Sequence, residues 1–208
     1  MSTTTSGGPT RGAVGADSPR STRDRILDAA TELFYTQGIR AISADKIIER
    51  AGITKVTFYR HFRTKDALVV AYLERQAAAE RGALDGLRTS ASDDAGALHL
   101  FVAAIGAESC KPGFRGCAFI NAAAEYADPD GPVRQTIAEH RAWYRATFAE
   151  LLGGMGVTST AEAADELLML RDGAMVSGYL DEPSRVGAAL ERAVTAIVDA
   201  GREARTAG

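Results

Sequence analysis

The chain has 208 residues, 46% of them hydrophobic and 25% charged, with a formal net charge of −3. That length buries a sizeable core as one compact protein or two small domains, and no apolar run approaches the roughly 18 residues of a membrane span. The net charge alone argues against a polyanion partner, but residues 20–75 hold eleven Lys/Arg against seven Asp/Glu, while residues 76–208 hold twelve against nineteen. A basic block joined to an acidic body is the distribution expected of a chain with one end built to meet a polyanion.

Residues 1–19 are Ser, Thr, Gly and Pro with almost no large apolar side chain, and are expected to form a disordered arm. A first helix is expected from the cap candidate Thr22, with Ile26, Ala30, Leu33 and Phe34 on one face and Gly38 as its stop. A second begins after Ser43, carries Ile47, Ile48 and Ala51, and ends at Gly52. Thr54 then caps a short third helix over 55–62, and Thr64 with Asp66 opens a fourth that runs to about Leu87. Further helices are expected at 93–108, 117–127, 132–152, 160–180 and 184–203, separated by Pro112-Gly113, Asp128-Pro129-Asp130-Gly131, Gly153-Gly154 and Glu182-Pro183. No segment alternates with a period of two, so the fold class is all-α.

The most informative segment is 43–62, SADKIIERAGITKVTFYRHF. Two helices joined by a tight glycine turn form a helix-turn-helix, whose second helix enters the major groove of DNA. Ile42, Ile47, Ile48, Ile53, Phe58 and Phe62 are expected to pack inward on Leu33 and Phe34, leaving Thr54, Lys55, Thr57, Tyr59, Arg60 and His61 to face outward. These side chains reach phosphates and base edges, and no acid stands between Ala51 and Thr64 to repel a phosphate. A merely solvated basic hairpin is the competing reading of this composition.

Arg23–Leu68 resembles the DNA-binding domain of the tetracycline-repressor (TetR) family of bacterial regulators. The resemblance rests on the helix ending at Gly38, on Ile42-Ser43, on Ala51-Gly52-Ile53-Thr54-Lys55, and on Thr57-Phe58-Tyr59-Arg60-His61-Phe62 followed by Lys65-Asp66-Ala67-Leu68. Ile48, where alanine is common in the family, and Val56, where glycine or proline is common, depart from the pattern. The resemblance implies that Tyr59 and Lys65 hold phosphates with help from Thr57, and that Lys55 probes base edges. It also implies that Ser43 and Ala44 lie against the backbone or a groove edge, and that His61 either touches phosphate or caps local structure. Val56 would bear on which sequence is read, through a thymine methyl.

After the arm expected from composition at 1–19, the resemblance further implies a DNA-binding domain (20–67) and a ligand-binding and dimerising body (68–208). The expected function is that of a homodimeric regulator on a palindromic operator, acting as a repressor released by a small apolar or aromatic effector. Candidate cavity walls are Phe101, Ile105, Phe119, Trp143, Phe148 and Met169, with Asn121, Tyr144, Arg171 and Asp172 to orient the occupant. Leu167, Met175 and Tyr179 on one helix and Leu190, Val194, Ile197 and Val198 on the next are the candidate dimer interface. The same residues could instead close the core of one chain.

Two cysteines are too few for a disulfide scaffold, and a reducing cytoplasm is the expected location. Cys110 and Cys117 stand near Lys111 and Arg115, so a redox-responsive repressor is one alternative, with idle thiols the plainer reading. An activator of the same family, or a helical protein-interaction module, are the others. Phosphate-binding, dinucleotide-binding and nucleophile-elbow motifs are all missing, and the histidines are scattered, so neither an enzyme nor a cofactor or metal site is expected.

Overall fold

A computed structural model describes residues 20–206, with side chains through Arg202. The expected arm at 1–19 lies outside the described residues. The described chain is helical throughout: α1 (Thr22–Gln37), α2 (Ala44–Ala51), α3 (Lys55–His61), α4 (Lys65–Ser90), α5 (Asp94–Ser109), α6 (Ala118–Glu125), α7 (Pro132–Gly154), α8 (Thr160–Leu180) and α9 (Val186–Thr206). One 3-10 turn over Pro183–Arg185 leads into α9.

Local chemistry sets the helix starts. Ser43 accepts the Lys46 amide at 3.3 Å, Thr54 the Thr57 amide at 3.2 Å, Thr64 the Ala67 amide at 3.1 Å and Asp93 the Gly96 amide at 2.7 Å. The cap of α1 is Ser21, not Thr22: its hydroxyl accepts the Asp24 amide at 3.1 Å, and Thr22 is the first helical residue. α2 ends on Gly52 at φ 62°, where the Ile53 amide returns to the Ile48 carbonyl at 3.2 Å. A left-handed residue there is a glycine position, and it allows α3 to begin within three residues. Arg25 of α1 donates to the Ala51 and Gly52 carbonyls at 2.7 and 3.1 Å, closing that helix end from outside.

α1, α2 and α3 pack round Ile26, Phe34, Ile42, Ile47, Phe58 and Phe62, all buried. Leu33, Ile48 and Ile53 are only partly buried against that core. α4 carries Leu68, Val69, Tyr72 and Leu73 into this cluster and Leu84 into the body, so one helix spans both regions. In the body α8 packs between α7 and α9, while α5 lies against α4, α8 and α9. Their interior is filled by Phe148, Leu151, Leu152 and Leu168.

α5 and α9 cross where two glycines meet: a Cβ on Gly106 would lie 2.9 Å from the Gly187 Cα. Backbone cannot give way as a flexible side chain can, so Gly106→Ala is expected to cost about 1–3 kcal/mol. Gly82 and Gly86 are exposed within α4, with open space where a Cβ would go. Gly82→Ala is therefore expected to stabilise by about 0.5–1 kcal/mol. Urea denaturation of the two variants beside the parent checks the opposite signs.

Candidate functional site

The helix-turn-helix presents the residues that the sequence singles out. Val56 is 80% exposed at the second position of α3, and Lys55, Tyr59, Arg60 and His61 are exposed on the same short helix. Phe58 fixes the opposite face in the core, its ring edge-on to Tyr59 at 5.3 Å, so α3 is anchored by one face and open on the other. The Thr54 and Thr57 hydroxyls bond each other at 2.8 Å while Thr54 caps the helix, so both serve local structure first. Ser43 is exposed and Ala44 half-buried at the start of α2. Lys65 is half-buried at the first position of α4, where partial burial lowers its ammonium pKa against the pull of Glu125 and Asp66.

One feature of this face is invisible along the chain. Asp45 of α2 stands 3.5 Å from the Lys55 ammonium, with both side chains largely in water. Such an exposed pair contributes less than about 1 kcal/mol, so a phosphate can replace the carboxylate.

The α6 region ties this head to the body at both of its ends. Before α6, the Arg115 amide donates to the Tyr35 hydroxyl at 2.8 Å, which in turn donates to the Gly116 carbonyl at 3.1 Å. At its end, the Glu125 carboxylate accepts the Ile39 and Arg40 amides at 2.9 and 2.6 Å, and the Tyr126 hydroxyl donates to Asp66 at 3.0 Å. Arg75 of α4 adds bonds to Asp28, at 2.8 Å, and to Leu27 and Thr31 of α1.

A cavity of about 500 Å³ lies between α1, α4, α5, α7, α8 and the segment that leads into α6. Of the expected lining, Phe101, Ile105, Tyr144 and Arg171 are on its wall. Phe148 and Phe119 are buried behind it, and Trp143 is half-buried beside His140. Met169 is 65% exposed on the outer face of α8, which corrects its expected place on the wall. Asn121 is exposed and donates to the Arg115 carbonyl at 2.9 Å, and Asp172 is held by Arg141 at 2.5 Å and Arg171 at 3.2 Å. Neither of these lines the cavity. Residues that the sequence reading missed do line it: Thr31 and Tyr35 from the head, Glu80 from α4, Phe114, and Cys117.

At the cavity wall sits a buried charge cluster. Arg171 is only 5% exposed and donates to Glu80 Oε2, Asp172 Oδ1 and Cys117 Sγ, each at 3.2 Å. Its guanidinium lies over the Tyr144 ring at 4.7 Å. Glu80 Oε2 also meets the Tyr144 hydroxyl at 2.7 Å and His140 Nε2 at 3.1 Å. Burial pushes the Glu80 carboxyl up, but the His140 bond, the Arg171 charge and the Tyr144 hydroxyl outweigh it and hold its pKa below the ordinary value.

The expected dimer residues divide. Leu167, Leu190, Val194 and Val198 are buried in the chain's own core, and Met175 lines the cavity, because α8 turns an apolar face toward α7 and α5, and α9 turns one toward α8 and α5. Ile197 is partly buried and Tyr179 exposed. The large apolar side chains left outside on α8 are Met169, Val176, Tyr179 and Leu180. Met169, Gly173, Val176 and Leu180 recur at helical spacing, and among the described residues nothing stands over Gly173.

Comparison with known proteins follows the same division. The family model described as "Bacterial regulatory proteins, tetR family" matches residues 26–72. The protein is 40% identical over 65 residues to the uncharacterized HTH-type transcriptional regulator YvkB of Bacillus subtilis, and 42% identical over 53 residues to the HTH-type transcriptional activator FasR of Mycolicibacterium smegmatis. Those matches cover 31% and 26% of this chain, and only 34% and 24% of the relatives' own length. The crystal structure of a TetR-family transcriptional regulator from Streptomyces coelicolor aligns with 87% of this chain and 96% of its own, at 38% identity and a TM-score of 0.83.

Proposed function

The chain belongs to the tetR family of bacterial regulatory proteins and is by that membership a transcriptional regulator; we propose that it is a homodimeric repressor released from a palindromic operator by a small molecule. The observation that carries this reading is a helix, α3, open on one face and free of acids, connected by α4 to a 500 Å³ cavity that Thr31 and Tyr35 of the head also line. In this reading residues 20–67 bind DNA and 68–208 bind ligand and dimerise. Lys55 and Val56 meet base edges, and Tyr59, Arg60 and Lys65 meet phosphates. Ser43, Ala44, Thr57 and His61 lie along the backbone. One helix-turn-helix touches few base pairs, so a second copy is needed to reach a half-site about one turn away. The exposed face of α8 with Met169, Val176, Tyr179 and Leu180 supports the pairing surface.

Release follows from linkage. A ligand that prefers the conformation with wrongly spaced heads weakens DNA binding by its preference between the two states. α4 is the lever, since Arg75 holds it to α1 while Glu80, one and a half turns on, holds it to α7 and α8.

The test is fluorescence-anisotropy binding to the DNA upstream of the protein's own reading frame, titrated with salt beside a scrambled duplex. The operator is expected to beat the scrambled duplex by about a thousandfold or more. Lys65→Ala is expected to weaken binding to both and to lower the salt slope by about one unit. No binding at low salt by a folded dimer overturns the reading.

A further inference from the structure

We propose that the cavity takes an organic cation with an apolar or aromatic body, and that Glu80 is its counter-ion. The inference rests on the effector reading of the cavity and adds the chemical class of the occupant.

Among the described residues, the charged side chains on the wall are Glu32, Glu80, Glu108 and Arg171. Three are acids, and the one base is already engaged by Glu80, Asp172 and Cys117, with its guanidinium against Tyr144. The Arg171 Nε has no partner, but it is buried with almost no accessible surface, so an anionic occupant would have to take the terminal guanidinium donors from those partners while facing carboxylates. Glu32 and Glu108 are neutralised from outside the cavity by Arg50 at 2.6 Å and Lys111 at 2.5 Å, in water-exposed pairs. Glu80 differs from both. Its three partners, His140, Tyr144 and Arg171, all converge on Oε2, and among the described residues no donor meets Oε1. The side chain keeps 31% of its surface accessible on the cavity wall.

An apolar occupant that excluded water would leave Oε1 desolvated and unpaired, which is costly for an ionised group. An ammonium or amidinium satisfies it instead. The remaining wall suits the body of such a molecule: Leu84, Leu87, Phe101, Ile105, Phe114 and Met175 are apolar, and the Phe101 ring adds a π face that attracts a cation. The depressed pKa of Glu80 keeps it ionised at neutral pH.

The experiment uses one aromatic frame in three charge states: 1-naphthylmethylamine, 1-naphthylmethanol and 1-naphthoate, each titrated calorimetrically into the full chain without DNA. The amine is expected to bind at least about tenfold tighter than the alcohol, the range of a charge-assisted hydrogen bond, and the carboxylate weakest. Glu80→Gln is expected to remove the amine's advantage over the alcohol, and far-UV circular dichroism reports whether the variant is folded. The preference of the parent chain stands as a test if that variant fails to fold. Tightest binding by the carboxylate, equal binding by all three, no binding, or an amine preference that survives Glu80→Gln in a folded variant overturns the proposal. Operator release is then scored separately. An amine that binds as expected but leaves DNA bound sinks the ligand-released repressor and keeps the cation site. Release by the alcohol or carboxylate alone does the reverse.

Discussion

Arg171→Met is expected to lower the free energy of unfolding by about 3 kcal/mol, the lower end of the range for breaking a buried ion pair. Methionine fills much of the same volume, so the loss is not a cavity effect. It comes from leaving Glu80 and Asp172 with fewer partners in a site where Arg171 is almost wholly buried. The lower end is expected because Glu80 keeps Tyr144 and His140, and Asp172 keeps Arg141. The double variant Glu80→Gln/Arg171→Met removes a charge with its partner and is expected to recover a large part of the loss. The pH dependence has a definite sign. The Glu80 carboxyl titrates below its ordinary value in the fold, so its contribution is complete above the unfolded pKa of about 4.3 and is lost as pH falls through the lower native pKa. Arg171 is one of the groups that holds it down, so the acid limb of the Arg171→Met stability curve is expected to begin at higher pH. Urea melts between pH 3 and about 7 read both effects. A loss below about 1 kcal/mol with an unmoved acid limb would show the cluster to be as weak as surface ion pairs.

The same cluster marks the boundary of what the sequence could disclose. Helix starts and stops were legible because they are local: a hydroxyl or carboxylate three residues before the amide it caps, and a glycine at φ 62° between α2 and α3. The exposed face of α3 was legible for a related reason, since Phe58 and Phe62 fix which side is inward. Glu80 carries no such signal. It follows three alanines and precedes an arginine in α4, the pattern of a solvated helix face, and only the meeting of α4 with α7 and α8 makes it part of a buried cluster.

The expected dimer residues divide for a physical reason. Leu167, Leu168, Met169 and Leu170 are consecutive, so apolar side chains wrap the helix, and periodicity cannot tell the face against α7 from the face left outside. The structure turns Leu167 and Leu168 inward and leaves Met169 out. Asp45 beside Lys55 was hidden likewise, ten residues apart in sequence and joined only by the fold of the turn.

Val56→Glu is expected to abolish at least about 99% of the DNA affinity at moderate salt, for operator and scrambled duplex alike. Val56 is 80% exposed and contributes nothing to the core, so the fold should change by less than about 0.5 kcal/mol. A carboxylate at the second position of α3 would stand on a helix that carries no acid of its own, beside the water-exposed Asp45 of α2, and would meet the phosphates or the acceptor edges of bases. Like charges brought together in an interface cost several kcal/mol, which is a loss of a hundredfold or more. Val56→Ala separates this from the apolar role of the side chain. It removes only a methyl-to-methyl contact, so it is expected to relax preference at one operator position by about 1 kcal/mol and to leave scrambled DNA unaffected. Lys55→Ala is the third arm: it too should relax one position, while releasing Asp45 from its 3.5 Å pair. Anisotropy titrations of the three variants on a panel of single-base operator changes distinguish these patterns. If Val56→Glu bound DNA like the parent, α3 would not be the element that enters the groove, however exposed it is.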